Sequence, residues 1–152
     1  MFRTLLHRCA LIAVVASPVV PAPALAGDIN PCALVPDDLV TALTGAPSTS
    51  VRDKAKAVGS DEQDTCHYAG GPADTFVVSS HADPAQFADI AARPQVQPLA
   101  GLGTEALWWS KAGVICALKN GHYISMNYSG DATKAAPSPV FLAAAKAAVS
   151  KL

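Results

Sequence analysis

Apolar positions along this chain switch between a continuous run, a helical period and a period of two, and each switch marks an element. The continuous run comes first, Cys9–Val20, behind a basic start at Arg3, His7 and Arg8. Three later segments have a helical period. Pro36–Leu43 carries two acids in its first turn, Asp37 and Asp38, and Gly45 lies just past its end, the residue types that suit the two poles of a helix. Asp83-Pro84 opens a second segment with Phe87, Ile90 and Ala91, stopped before Pro94. Ser138-Pro139 opens a third, in which Phe141, Leu142, Ala145, Ala148, Val149 and Leu152 share one face and Lys146 and Ser150 the other. Asp83 and Ser138 offer side-chain oxygens as N-caps, whereas Val35 offers none.

Between the helices the period falls to two. Strands are predicted near 50–56, 65–69 and 75–81, with Gly70-Gly71-Pro72 turning between the last two. A second set is predicted near 95–99, 104–109, 113–118 and 122–128. Asn120-Gly121 separates the final two, and this pair favours the positive φ angles of a tight hairpin. Pro98 places its strand at an edge or leaves it unpaired. Runs of strands set between isolated helices indicate an α+β class. The expected architecture is a single antiparallel sheet of about six to seven strands with three helices on one face, the C-terminal helix closing the core.

The opening run reads as a secretory signal peptide over residues 1–26, cleaved after Ala24-Leu25-Ala26, with a single exported domain at 27–152. It is shorter than the roughly 20 residues that span a bilayer as a helix. Neither Leu6-His7-Arg8-Cys9 nor Asn30-Pro31-Cys32 forms a lipid-attachment motif. Secretion or a periplasmic location is therefore expected, with no membrane insertion of the mature chain.

Cleavage takes Arg3 and Arg8 from the 11 basic side chains and none of the 12 acidic ones, leaving a mature net charge near −3. With Arg52, Lys54 and Lys56 as the densest basic group, interrupted by Asp53, nucleic-acid binding is set aside. Cys32, Cys66 and Cys116 survive cleavage, an odd number. Cys116 lies in the apolar stretch Val114–Leu118, where a thiol behaves as a small hydrophobe. Cys32 and Cys66 sit in more polar surroundings and are the preferred bridge, worth roughly 3 to 4 kcal/mol. Cys32–Cys116 and Cys66–Cys116 remain open, as does a disulfide-linked homodimer through the odd cysteine.

Candidate chemistry is sparse. Gly101-Leu102-Gly103 lacks the third glycine and the following helix of a dinucleotide fingerprint, and no cofactor is expected. His67, His81 and His122, with Asp64, Asp74 or Cys66, show no local metal-ligand spacing. A small envelope hydrolase would need several of these histidines and acids to converge through the fold. No Gly-x-Ser-x-Gly elbow or Cys-x-x-Cys occurs, and Cys116 with His122 is the nearest thiol–imidazole pair. Asp37-Asp38 is explained by the helix dipole and Asp61-Glu62-Gln63-Asp64 by a solvated loop. Trp108 and Trp109 are adjacent on a strand, so one indole points into the core and the other away. Trp108, Trp109 and Tyr123 are the candidate contacts for a protein partner or a small apolar or carbohydrate ligand. The Lys119–His122 hairpin is the second candidate surface; the competing reading has the outward indole covered by a loop or helix.

In order, Asn30-Pro31-Cys32-Ala33-Leu34-Val35-Pro36, Cys66-His67-Tyr68 and Gly101-Leu102-Gly103-Thr104-Glu105-Ala106-Leu107-Trp108 resemble a broad group of small exported bacterial proteins and lipoproteins of unknown function. That group shows a Pro-Cys-x-Leu-Leu-Thr-Pro-like helix start, a Cys-x-aromatic strand and a Gly-Leu-Gly-x-x-Ala-aromatic turn. The resemblance implies an α+β fold and a Cys32–Cys66 disulfide, and no catalytic residue. Val35 departs from it where Thr would cap the helix, and the lipid-attachment cysteine of many members is missing.

Overall fold

In the computed structural model, residues 29–58, 61–69 and 75–152 are described. The leader with its cleavage site, the Gly70-Gly71-Pro72 turn and Asp74 lie outside these residues. The elements are α1 (Asp37–Thr44), β1 (Thr49–Val58), β2 (Asp61–Ala69), β3 (Phe76–His81), α2 (Gln86–Ala91), β4 (Val96–Pro98), β5 (Glu105–Trp109), β6 (Val114–Lys119), β7 (His122–Tyr128) and α3 (Pro139–Ser150). The strands form one sheet in the order β1-β2-β3-β7-β6-β5-β4, antiparallel at every pairing. Two meanders, β1–β3 and β4–β7, thus meet along the β3–β7 seam. Pro98 is tolerated because β4 lies at the far edge. Asn120 and Gly121 take φ of 53° and 79° in the β6–β7 hairpin.

The helix ends follow local chemistry. Ser138 Oγ accepts from Phe141 N–H at 3.3 Å and caps α3. Gly45 ends α1 at φ 74°, and its N–H donates to Thr41 O. Pro36 is the N-cap of α1 with no side-chain bond, leaving Asp37 and Asp38 to face the positive pole. Asp83 does not cap α2: its carboxylate accepts from Ala85 N–H, and the helix begins later, with Ala85 as N-cap. The Asp61–Asp64 stretch, expected as a loop, opens β2 because the β1–β2 ladder continues to Val58↔Asp61.

The main core lies on the sheet face covered by α1 and α3. Phe141 of α3 is its hub, meeting Phe76, Trp108 and Tyr128 edge-on at centroid distances of 6.1, 6.2 and 5.6 Å. The small side chains Ala144, Ala145 and Ala148 are fully buried and let α3 approach the strands closely. Polar tips of buried aromatics reach backbone carbonyls: Trp108 Nε1–H donates to Lys134 O, Tyr68 Oη to Cys32 O and Tyr128 Oη to Leu43 O.

The expectation of helices on one face is corrected. A second cluster, Phe87, Leu107, Cys116 and Tyr123, packs on the opposite face beneath α2. The topology requires this. After β3, in mid-sheet, the chain must reach β4 at the far edge, and α1 and α3 already occupy the other face. The rest of this second face, over β1–β3, presents Val51, Asp53, Thr65 and His67, all half-buried or exposed. No helix among the described residues is long and apolar enough to cross a membrane.

Candidate functional site

A surface cavity of about 380 Å³ lies where the β4–β5 turn, the β6–β7 hairpin and the last turns of α3 meet. The turn contributes residues 101–104, the hairpin Lys119 and Asn120, and the helix Lys146, Val149 and Ser150. Each wall is fixed by a local feature. Leu102, 3% exposed, plugs the turn into the main core. Gly103 sits at φ +60°, and a Cβ there would lie 2.5 Å from Leu118 O, so only glycine fits. Thr104 N–H donates to Leu118 O at 2.7 Å and ties the turn to β6. Across the cavity, the Lys119 ammonium donates to Val149 O at 2.9 Å and Ser150 O at 3.5 Å, and Asn120 Nδ2 donates to Leu152 O at 2.9 Å. These bonds bring side-chain donors to the carbonyls at and just beyond the end of α3, where the helix exposes its negative pole.

Of the candidate contacts Trp108, Trp109 and Tyr123, two are buried, and the register explains why. Trp108, on the main-core face, is fully buried. Tyr123, on the other face, is 3% exposed beneath Phe87, with His81 stacked on it at 4.2 Å. Neither offers surface to a ligand. Trp109 is the outward indole, half-buried, with the Arg93 guanidinium 4.9 Å from its centroid. The hairpin, by contrast, forms one wall of the cavity.

The histidines do not converge. His67 and His81 lie on the face that α2 partly covers, four residues of β2 ladder apart, since His81 pairs with Gln63. His122 follows the phase of Ile124 and Met126 on the other face. His67 Nε2 is 3.5 Å from Asp53 Oδ2, with both side chains more than half exposed, a surface pair of small worth. Among the described residues no group of three or more His, Cys, Asp or Glu is placed to hold a metal ion. His81 Nε2 and Ser125 Oγ approach to 2.8 Å, the nearest arrangement to a base with a nucleophile. Ser125 is nevertheless in a central strand paired on both sides, to Ser79 and to Cys116. The ladder consumes the backbone N–H groups that an oxyanion would need.

Cys32 and Cys66 are joined in a disulfide, which removes both alternative pairings. Cys116 is free and 1% exposed. Burial pushes its thiol up to about 11, against smaller opposing effects of the Tyr123 hydroxyl and the Arg93 charge. A disulfide-linked dimer through this sulfur would require opening the α2 cluster. Iodoacetamide at pH 8 should therefore leave native protein starting at Gly27, which lacks Cys9, unlabelled over hours and label one site in urea. Rapid native labelling would place Cys116 at the surface.

Trp108 was legible as a core indole only as one of two phases. The cavity carried a weaker signal, the glycine turn and Asn-Gly hairpin, which are far apart in sequence and meet only through the β5–β6 ladder. No protein-family model, curated protein or solved structure matches the chain.

Proposed function

We propose that this chain is an exported, disulfide-stabilised, non-enzymatic protein of the cell envelope, secreted or periplasmic, that binds a small ligand in the cavity between glycine turn, hairpin and α3. In this reading residues 1–26 are a cleaved leader and residues 27–152 the exported domain. Support comes from the motifs at Pro31-Cys32, Cys66-His67-Tyr68 and Gly101–Trp108, which resemble those of the small exported bacterial proteins described above. The cavity carries the proposal. Its volume of about 380 Å³ falls in the range of small-molecule sites, roughly 300 to 1,000 Å³. Its walls join a buried apolar floor, Leu102 and Val149, to polar groups of three separate elements. The Cys32–Cys66 bridge supports an oxidising compartment. A docking face for another protein has less support: the exposed large hydrophobics among the described residues, Val51 and Val140, lie on β1 and α3.

A small-molecule fragment screen followed by backbone amide shifts tests this reading. Hits should perturb residues 101–104, 119–120 and 146–150 together, and Ser150→Trp, at an exposed position on the rim, should abolish those shifts while preserving the fold. Hits that bind elsewhere, or that survive the Trp substitution, would remove the cavity from consideration. Intact mass of protein from the exported fraction should start at Gly27 with one oxidised pair.

A further inference from the structure

The composition of this cavity wall specifies the chemistry of its occupant. We infer that the cavity takes a compact oxyanion, a carboxylate or phosphate group, held between the glycine turn and Lys146; this rests on the cavity being the ligand site. Lys119 and Lys146 both line the cavity, and no acidic residue does, although acids outnumber bases in the chain. Glu105, next along from Thr104, is paired with Leu118 on β5 and follows the phase of Leu107, so it belongs to the opposite face of the sheet.

Several donors at this cavity have no protein acceptor among the described residues. The backbone N–H groups of Gly101 and Gly103 make no hydrogen bond within the described residues. Both glycines have positive φ, 79° and 60°, in a turn bearing free donors of the kind that receives anions. Lys146 is exposed and makes no ion pair among the described residues. Lys119 has three ammonium N–H bonds and directs them at two carbonyls, Val149 O and Ser150 O. The negative pole of α3 opposes an anion, but Lys119 and Asn120 already occupy its last carbonyls. Thr104 lines the same wall, and Leu102 and Val149 supply an apolar floor for whatever carries the charge.

Titration of the oxidised protein with sodium phosphate, sodium acetate, sodium chloride at matched ionic strength, and glucose decides it, read as backbone amide shifts. Phosphate or acetate should shift Gly101, Gly103 and Thr104 saturably, and Lys146→Met should weaken the binding about two- to fivefold with the remaining spectrum unchanged. Stronger binding of phosphate identifies a phosphate group as the ligand head, stronger binding of acetate a carboxylate. Linear shifts equal to those of chloride, or unaltered affinity in Lys146→Met, would overturn the inference. Saturable shifts from glucose alone would overturn it and leave the cavity reading in place. Silence from every probe, together with fragment hits elsewhere, would end both.

Discussion

Removing the Cys32–Cys66 bridge should lower the unfolding free energy by about 4 kcal/mol. The bridge closes a loop with a sequence separation of 34, and on the chain-entropy model such a loop restricts the unfolded chain by about that amount. Cys66 is fully buried in the main core, so the informative variant is Cys32→Ala with Cys66→Ala, because serine there would bury a hydroxyl. Urea unfolding of oxidised and variant proteins supplies the comparison. The loss should also be uneven. The bridge ties the short 3₁₀ turn Pro31–Ala33 to β2, so hydrogen exchange should quicken more in β1–β3 than in β5–β7. A loss below about 1 kcal/mol would mean that the turn holds its place through Tyr68 and the core without covalent help.

Asp131 gives the second large effect. It is wholly buried, yet it lies in a loop, and its carboxylate accepts from the Ser138 N–H and from Lys134 Nζ at 2.7 Å. It therefore fastens the segment leading into α3. Burial by itself raises its pKa; the hydrogen bonds from Lys134 and Ser138 outweigh burial and hold it below the usual value of 3.8. A group depressed in the folded state contributes stability that is fully present above its unfolded pKa. That stability is lost as pH falls through the folded value. Asp131→Asn should cost about 2 to 4 kcal/mol at pH 7, because buried donors then face an amide. Lys134 is half exposed, so its Coulombic share is at most about 1 kcal/mol and the Ser138 bond dominates. The gap between wild type and variant, measured by urea unfolding, should stay level from pH 7 to about 4 and close below that. A gap independent of pH would mean that packing, and not the charge, holds the loop.

Much of the fold was legible where one local rule dominated. Ser138-Pro139 placed α3 because capping and the first-turn proline act within a single turn. Asn120-Gly121 placed the hairpin because few other residues adopt its backbone. Asp83 misled because an Asx turn satisfies the same carboxylate that an N-cap would. The second cluster beneath α2 had a visible signal: Val114-Ile115-Cys116-Ala117-Leu118 does not alternate, and an unbroken apolar strand is one covered on both sides. The partition of Trp108 and Trp109 depended on register with β4 and β6, which no local rule fixes. For the same reason the cavity was hidden: its walls are assembled by the ladder and by the docking of α3, although the hairpin forming one wall stood out on its own.

The docking of α3 also decides where the fold can be attached to anything else. Lys151 Nζ reaches Ala33 O at 2.6 Å across a separation of 118 residues, so the Pro31–Ala33 turn and the end of α3 lie at one pole of the described residues. Asn120 holds Leu152 O at that pole, beside the cavity. Whatever is appended beyond Leu152, a purification tag included, is delivered to the rim and competes for the same space as a bound molecule.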